Sequence, residues 1–455
     1  MRIVVVGGGI SGLAAAHRLV ERGAEVVLVE QADRLGGKLH TGEIAGEPVE
    51  LGAEAFALRD PEGNPSGAVD LVNAVGLADS LVYPTIGRAA LAVAGRLRPM
   101  PAGTLMGVPG DPAALDGVAA ADPERDRDEG RPLLGAGADV AVGALVRERL
   151  GDEVADRLVD PMLGGVYAGR ADGLSLATTM PALAATARRE HTLTGAVRAA
   201  LVARPASTGP VFGTLIGGVG RLVSAVADRL GAADVRMGLP VREITRDGTG
   251  WRVTVGSTRE PESIGADAVV LATPAAPAAR LLADVAPDAG ALVGVLDYAS
   301  VALVTLALPE TDLPELSGLL VPATEGYAVK AATFFDRKWA HLRRPGLTLV
   351  RTSLGRYGDE RVLQRDDADL AALAHAELGT LLGRPLPAPV GARVQRWGGA
   401  LPQYTPGHLD RVAAVRAGLP ATVAVAGAAY DGVGIPACIR SGQVAADRVL
   451  EGLSA

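Results

Sequence analysis

The chain has 455 residues, of which 48% are hydrophobic, and it contains 59 glycines and 30 prolines. A chain of this length exceeds a single hydrophobic core and predicts two or three domains, and its composition is typical of a globular α/β protein with many loops. The net charge of −8 and the lack of a dense Lys/Arg run argue against a nucleic-acid partner.

Four further features concern the compartment and metal binding. Cys438 is the only cysteine, which excludes an intrachain disulfide and a thiolate metal cluster and fits a reducing cytoplasm. The start of the chain lacks the regions of a signal peptide. The longest apolar stretch, Ala289–Leu308, is interrupted by Asp297 and predicts two core strands rather than a transmembrane segment. The six histidines are scattered and predict no metal site.

The chain begins with a strand that leads into a glycine-rich turn. Ile3–Val6 is an apolar, β-branched run typical of a buried parallel strand. Gly7, Gly9 and Gly12 follow with the G-x-G-x-x-G spacing, which combines a tight turn, close approach of backbone N–H groups to a pyrophosphate, and close packing of helix on strand. The helix that follows directs its positive end at the phosphates, so the pattern predicts a dinucleotide site.

An acidic residue ends the second strand of this unit. The helix keeps one apolar face and ends at Gly23, and Glu25–Val29 form the next strand. Glu30 stands where a carboxylate accepts hydrogen bonds from a ribose 2′-hydroxyl. A carboxylate there would repel a 2′-phosphate, which disfavours NADP. The glycine turn alone does not distinguish NAD from FAD.

Two later segments have the small residues that a bound phosphate or ring requires. Gly36 and Gly37 allow close backbone approach, and Lys38 directly after them can neutralise a phosphate. Residues 49–55, VELGAEA, predict a short strand that runs into a turn of small residues, on which a flat ring can lie.

The middle of the chain predicts a long loop followed by helices. Residues 107–131 combine proline, glycine and alternating charges without apolar periodicity, which predicts an exposed loop prone to disorder. A helical pattern resumes at Val140 and breaks at Pro161. Two glycine turns beside Tyr167 follow, and such turns can bring main-chain carbonyls to a ligand.

The chain then returns to its first domain. Residues 213–230 repeat the form of a glycine turn followed by a helix. Residues 234–244 and 251–255 predict a hairpin-like pair, and residues 266–274 predict another buried strand.

The last third predicts a second sheet and a closing cofactor contact. Residues 290–390 hold strands and one helix from Asp366 to Leu382, which predicts an antiparallel sheet for substrate. Residues 422–426 predict a strand that enters a glycine-rich turn and a closing helix. This arrangement predicts a second group of backbone N–H groups at the cofactor.

Together these segments resemble the flavoprotein family that includes protoporphyrinogen oxidase and the bacterial oxygen-dependent coproporphyrinogen III oxidases, a branch of the amine oxidase superfamily. The resemblance covers nearly the whole chain. Its most specific parts are residues 149–169 and 396–408. Its marks are GGGISGL at 7–13, LGGK at 35–38, LGAEA at 51–55, RLGDEVADRLVDPMLGGVYAG at 149–169, RWGGALPQYTPGH at 396–408 and GAAYDGVGIPACIRSG at 427–442.

The resemblance implies an α/β fold in which a Rossmann-like FAD-binding domain is built from discontinuous segments. An antiparallel-sheet substrate domain and a helical insertion complete the fold. The implied boundaries are 1–60, 212–285 and 393–455 for the FAD-binding domain, 61–211 for the mainly helical insertion with loop 107–131, and 286–392 for the substrate-binding domain.

The implied cofactor is FAD. By position in the family pattern, the glycine turn would hold the pyrophosphate, Glu30 the adenosine ribose and Val241 the adenine through its backbone. Lys38 stands where the family often has arginine, so the positive charge remains but a bidentate fork is lost. The implied cofactor-binding residues are Gly7, Gly8, Gly9, Ile10, Ser11, Gly12, Glu30, Gln31, Gly37, Lys38, Gly52, Ala53, Glu54, Ala55, Val241, Trp397, Val433, Gly434 and Ile435.

The implied reaction is the oxidation of a porphyrinogen, with hydride passing from a bridge carbon of the macrocycle to flavin N5 and oxygen reoxidising the flavin to give peroxide. This chemistry needs no acid/base pair from the protein, because the cofactor accepts the hydride. No catalytic side chain is therefore predicted, and a carbonyl at Gly165 would face the macrocycle. The implied substrate-binding residues are Gly165, Tyr167, Arg88, Leu319, Val321, Lys330 and Arg351.

Several alternatives remain open at this point. Coproporphyrinogen III, with four propionates, is favoured over protoporphyrinogen IX, which has two. Another flavoenzyme of the amine oxidase superfamily, or a flavin-dependent haem-pathway binding protein without turnover, would share the fold. The predicted location is the cytoplasm, with peripheral membrane contact and transient contact with other haem-pathway enzymes left open.

Overall fold

A computed structural model of the chain describes residues 1–115, 117–204 and 209–454. Asp116 in the predicted loop 107–131, residues 205–208 in the predicted insertion and Ala455 in the last predicted FAD-binding segment lie outside the described residues. The fold is mixed α/β, which confirms the predicted class.

The strands fall into one parallel sheet, one large mixed sheet and several small antiparallel ones. They are β1 (Arg2–Val6), β2 (Glu25–Val29), β3 (Thr41–Ile44), β4 (Glu47–Glu50), β5 (Phe56–Ala57), β6 (Leu81–Val82), β7 (Ala89–Val93), β8 (Arg96–Pro99), β9 (Thr104–Leu105), β10 (Val108–Pro109), β11 (Phe212–Leu215), β12 (Asp234–Arg236), β13 (Val241–Asp247), β14 (Gly250–Gly256), β15 (Pro261–Ala266), β16 (Ala268–Leu271), β17 (Tyr298–Pro309), β18 (Gly318–Leu320), β19 (Val329–Phe334), β20 (Leu347–Leu354), β21 (Gly391–Pro402) and β22 (Val423–Val425).

The helices cover the parallel sheet and build the insertion. They are α1 (Ile10–Glu21), α2 (Gly67–Ala74), α3 (Val142–Leu150), α4 (Asp152–Val154), α5 (Asp160–Tyr167), α6 (Leu176–Thr179), α7 (Pro181–Ala187), α8 (Leu193–Ala203), α9 (Gly220–Arg229), α10 (Ala275–Leu282), α11 (Pro287–Gly294), α12 (Phe335–Lys338), α13 (Asp367–Leu381), α14 (His408–Gly418), α15 (Ala428–Asp431) and α16 (Ile435–Ser454).

The parallel sheet joins three distant parts of the chain. Its order is β12-β2-β1-β16-β22, so its strands come from the beginning, the middle and the end of the sequence. Ile3 pairs with Val26 on one side and with Ala268 on the other. Such a strand is buried on both faces, which explains its run of β-branched residues. The predicted strands at 25–29, 266–274 and 422–426 are confirmed.

Helices α1 and α16 pack against each other beside this sheet. A Cβ at Gly442 would overlap the carbonyl oxygen of Ser11, so only glycine allows the two backbones to approach this closely. The contact carries the end of the chain to the glycine turn. It therefore places the segment before α16 next to the predicted phosphate site.

The large sheet has the order β21-β17-β20-β19-β18-β7-β8 among the described residues. Its pairs are antiparallel except for β18 with β7, so the predicted antiparallel sheet is largely confirmed. Strands β7 and β8 come from the predicted insertion, and β21 comes mainly from the predicted FAD-binding segment. The predicted boundaries therefore do not coincide with the sheets, and the division into domains stays a prediction.

The predicted break at Pro161 is wrong. The chain stays helical from α4 through a π-helical turn, Ala155–Val159, into α5, which ends at Tyr167. Pro161 is the second residue of α5 and directly follows the π-helical turn, where the regular i→i−4 hydrogen-bond pattern is already interrupted. The first predicted glycine turn, Gly164 and Gly165, therefore lies in a helix, whereas Gly169 follows the helix after Ala168, which is left-handed.

Three other local predictions need correction. Ala289–Leu308 does not form two strands, because its first part belongs to α11 and only the second part belongs to β17. The pair predicted from 234–244 is divided, since β12 joins the parallel sheet and only β13 pairs with β14. Loop 107–131 is not simply exposed, because Leu115 and Val118 pack into the helical core.

No helix among the described residues is long and apolar enough to cross a membrane.

Candidate active site

The glycine turn between β1 and α1 meets three different requirements. Gly7 has a φ of +106°, and a Cβ there would lie 2.6 Å from the carbonyl oxygen of Ala272. A Cβ at Gly12 would overlap the carbonyl oxygen of Gly7. A Cβ at Gly9 would meet no atom within 4 Å, so this position faces open space at the start of α1. The turn thus leaves its backbone accessible to a phosphate.

The carboxylate of Glu30 holds this turn from the side of β2. Its Oε2 accepts a hydrogen bond from the backbone N–H of Gly8 at 2.6 Å, and its Oε1 accepts one from Ala32 at 2.8 Å. Each carboxylate oxygen can accept a second hydrogen bond, which leaves capacity for a ribose hydroxyl. Gln31 next to it is exposed.

The segment 36–38 lies directly beside the glycine turn. The N–H of Gly36 donates to the carbonyl oxygen of Gly8 at 2.7 Å, and a Cβ at Gly37 would lie 3.3 Å from the Cα of Gly9. Burial lowers the pKa of Lys38, because the ammonium loses water there. The structure therefore brings the predicted Gly37 and Lys38 to the phosphate turn.

Residues 50–55, here called the inner loop, run from β4 to β5 past Lys38. The N–H of Ala53 donates to the carbonyl oxygen of Lys38 at 2.9 Å, and a Cβ at Gly52 would overlap that same oxygen. Trp397 packs on the loop, and its Nε1 donates to the carbonyl oxygen of Leu51 at 2.7 Å. The loop therefore joins Lys38 and Trp397 in one site. Ala55 lies in the same loop.

Glu54 does not present its carboxylate to open space. It is 8% exposed, and its oxygens accept hydrogen bonds from Lys338 and Trp339, both at 2.8 Å, and from Arg351 at 2.5 Å. Burial raises the pKa of Glu54, but the charges of Lys338 and Arg351 outweigh burial and hold the pKa at about 2. In this structure Glu54 is a buried anion within the protein, so only its backbone is available to a cofactor.

The segment before α16 forms the second predicted cofactor contact. Gly432 and Gly434 both have a φ of +110°, and a Cβ at Gly434 would meet no atom within 4 Å. Val433 is half-buried, and Ile435 is buried at the start of α16. The close packing of α16 on α1 brings these residues, together with Ile10 and Ser11, to one site. This arrangement was predicted from the sequence.

The site fits a dinucleotide cofactor on two observations. Gly9 and Gly434 face open space, so a phosphate can approach the backbone at these two positions. Thr273, which follows β16 next to Gly7, has a buried hydroxyl without a hydrogen-bond partner among the described residues. Such a group is costly unless a ligand or water satisfies it. Thr273 was missed from sequence, although its place after a buried parallel strand is a usable signal.

Val241 lies near Glu30, the residue predicted to bind the adenosine ribose. Leu239, two residues before it, donates its N–H to the carbonyl oxygen of Glu30 at 3.0 Å. The carbonyl oxygen of Val241 accepts a hydrogen bond from Arg280 at 3.1 Å. Its contact with an adenine stays a prediction.

The helix α5 carries Gly165 and Tyr167, two of the predicted substrate-binding residues. Gly165 is exposed, and a Cβ there would lie 3.2 Å from Cδ2 of Leu320. The ring of Tyr167 lies edge-on to Tyr404 at 5.7 Å between centroids. Burial raises the pKa of Tyr167 to about 12, so its hydroxyl is neutral at physiological pH. The helix thus combines an open face at Gly165 with a neutral phenol.

Three predicted lining residues do not line an open pocket. Leu319 and Val321 are each 1% exposed and pack into the core with α13, and Lys330 is 6% exposed. A side chain that faces an open pocket would keep exposed surface in a protein without ligand. Side chains alternate along a strand, so Leu320 and not Leu319 points to Gly165. The alternation was the signal available in the sequence.

Arg88 and Arg351 both donate hydrogen bonds to other groups of the protein. Arg88 is exposed before β7, and its Nε donates to the carbonyl oxygen of Glu315 at 2.9 Å. Arg351 points from β20 to the inner loop and Glu54. The contacts of both residues with substrate stay predictions.

The described residues contain no group of three or more His, Cys, Asp or Glu side chains arranged to hold a metal ion.

Comparison with known proteins identifies the family. The family model for flavin containing amine oxidoreductases matches residues 10–450. The coproporphyrinogen III oxidase of Mycobacterium tuberculosis is 43% identical and covers 99% of this chain and 98% of its own. The enzyme of the same name from Bacillus subtilis is 30% identical and covers 98% of this chain and 97% of its own.

A solved structure shows the same fold over the whole length. The crystal structure of an Exiguobacterium protein assigned as a protoporphyrinogen oxidase matches with a TM-score of 0.85 and 30% identity, and 99% of each chain is covered. These findings confirm the predicted resemblance. The chain belongs to the family of flavin-containing amine oxidoreductases and is an FAD-dependent oxidoreductase.

Proposed function

We propose that this chain oxidises coproporphyrinogen III to coproporphyrin III in haem biosynthesis, with FAD as cofactor. The observation that carries the proposal is the 43% identity, over nearly both full lengths, to a coproporphyrinogen III oxidase. The open glycine turn and the inner loop support it as a dinucleotide site. Helix α5 lies close to that site, because Tyr167 contacts Tyr404, whose hydroxyl donates to the carbonyl oxygen of Ala428 in α15.

In this proposal the residues of the chain bind and orient the cofactor and the substrate, and they supply little acid/base chemistry. When bound, FAD supplies the group that accepts hydride from a bridge carbon of the macrocycle. The glycine turn and Glu30 would hold its pyrophosphate and ribose. Gly165 would allow a flat ring to approach α5, and the neutral hydroxyl of Tyr167 would offer a hydrogen bond without a charge. Rate would come mainly from positioning.

Oxygen as the electron acceptor, peroxide as its product and the cytoplasm as the location belong to this proposal. Transient contact with other haem-pathway enzymes also belongs to it. The single cysteine and the negative net charge support a reducing compartment without a nucleic-acid partner.

A steady-state assay on both porphyrinogens tests the substrate. The purified protein with FAD should oxidise coproporphyrinogen III with a higher kcat/KM than protoporphyrinogen IX and should release peroxide. A reversed ratio would make the chain a protoporphyrinogen IX oxidase, the second candidate, which the name given to the Exiguobacterium protein favours.

Anaerobic mixing with coproporphyrinogen III separates turnover from binding. The yellow colour of the oxidised flavin should bleach within the first turnover. A flavin that stays oxidised while substrate binds would contradict the enzymatic proposal and indicate a binding protein.

A further inference from the structure

The carbonyl oxygens of the inner loop are held by side chains from the large sheet. Arg351 on β20 donates through Nη1 to the carbonyl oxygens of Glu50 and Gly52, both at 3.1 Å. Trp397 on β21 donates to the carbonyl oxygen between them. Three consecutive carbonyls of one short loop are thus fixed by two side chains.

The guanidinium of Arg351 also binds the carboxylate of Glu54, which lies in the inner loop after the end of β4. Nη2 of Arg351 donates to Glu54 at 2.5 Å, and the Arg351 side chain is 12% exposed. Lys338 and Trp339 satisfy the other oxygen of Glu54. The buried charges are therefore paired and hydrogen-bonded, as a stable buried ion pair requires.

The opposite side of the loop faces the cofactor segments. The carbonyl oxygen of Lys38 accepts a hydrogen bond from the N–H of Ala53. Gly52 packs on the same oxygen so closely that a Cβ would overlap it. A displacement of the loop would therefore move Lys38 and the segment beside the glycine turn. Arg351 lies behind this contact and reaches it only through the loop.

We propose that Arg351 is a positioning residue that fixes the inner loop and thereby sets the affinity and the electronic environment of the bound flavin. This role replaces the predicted contact of Arg351 with substrate. The inference rests on the proposed function, because it takes the inner loop as part of the flavin site. The fork of a guanidinium suits this arrangement, since Nη1 serves two carbonyls while Nη2 serves the carboxylate, whereas the three donors of an ammonium start from a single nitrogen.

Variants at Arg351 test the role against matched controls. Arg351→Met removes all three contacts, and Arg351→Lys keeps the charge without the fork. Lys338→Met removes one partner of Glu54 but no contact with a loop carbonyl. Arg337→Met removes a charge at the residue next to Lys338. The ion pairs of Arg337 with Asp312 and Glu315 lie at the surface, away from the inner loop.

FAD affinity is measured by titrating each apoprotein and following flavin fluorescence. Arg351→Met should weaken affinity at least about tenfold, because it leaves a buried carboxylate with one partner fewer and frees two carbonyls. Arg351→Lys should recover only part of this loss, Lys338→Met should lose less, and Arg337→Met should match the wild type. The visible spectrum and midpoint potential of the flavin that remains bound should shift in Arg351→Met alone.

Two results would overturn the inference. Arg351→Met with wild-type FAD affinity, spectrum and potential but a raised KM would make Arg351 a substrate ligand. Wild-type FAD affinity in Arg351→Lys would show that a positive charge alone is sufficient to fix the loop. If Arg351→Met does not fold, Arg351→Lys decides, because it should lower the FAD-induced rise in Tm while the Tm of the apoprotein changes little. Failure of the proposed function is seen separately, as wild-type protein that binds no FAD or bleaches with neither porphyrinogen.

Discussion

The parallel sheet and the large sheet present their ligand-facing residues in different ways. At the parallel sheet, Gly7, Gly9 and Gly434 offer backbone, and the absence of a side chain is what creates the site. At the large sheet, side chains alternate between two faces, and a shift of one residue exchanges a core residue for a pocket residue. A backbone site thus depends on residue type at a position, whereas a side-chain site depends on which face the residue occupies.

The largest expected effect concerns the backbone site. Gly12→Val should abolish FAD binding, because the added atoms would overlap the carbonyl oxygen of Gly7 and displace the turn. Gly9→Ala is the matched control, since its Cβ meets no protein atom and its φ is −69°. Apoprotein Tm should fall in Gly12→Val and stay unchanged in Gly9→Ala, whereas FAD affinity should fall in both. An apoprotein destabilised by Gly9→Ala would contradict the open position at Gly9.

A second experiment addresses the face of α5. Gly165→Val should retain FAD and lose nearly all porphyrinogen oxidation, because the side chain would fill the exposed face opposite Leu320. Flavin absorbance of the purified variant and steady-state turnover measure the two properties. If the variant keeps its activity, the substrate binds away from Gly165.

A pair of neighbouring leucines tests the alternation directly. Leu319→Ala should lower the free energy of unfolding by about 2–5 kcal/mol, because it opens a cavity in the core, with KM unchanged. Leu320→Ala should cost less stability and change KM. Urea denaturation and steady-state kinetics on both variants give the comparison, and the reverse assignment would show that the other face lines the pocket.

The smallest expected effect on activity comes from Lys330, which should influence only the pH dependence of stability. Burial lowers the pKa of Lys330 from 10.5 to about 7 in the folded protein, so the unfolded chain binds this proton more tightly. The free energy of unfolding should therefore gain a contribution as pH rises from about 7 towards 10.5. Lys330→Met should lack this contribution and leave KM unchanged. A raised KM would instead support the predicted contact with substrate.

The sequence predicts the cofactor region far better than the substrate region. Gly7, Gly12 and Glu30 could be assigned because spacing, turn chemistry and strand ends determine their positions locally. Arg351 could not, because its partners Glu50 and Glu54 lie about three hundred residues away and only the fold brings them together. The helix through Pro161 was missed because proline usually ends a helix, and the π-helical turn that precedes Pro161 has no signal in the sequence.

The assembly of the parallel sheet from distant segments has a consequence for biosynthesis. Strand β22 and helix α16 complete the sheet and the second glycine contact, and both lie at the far end from β1. A nascent chain therefore cannot form the complete cofactor pocket until residues 423–454 have left the ribosome. Capture of flavin by the complete pocket therefore has to wait for these residues, and a variant that ends before residue 423 would lack the second glycine contact and should stay colourless.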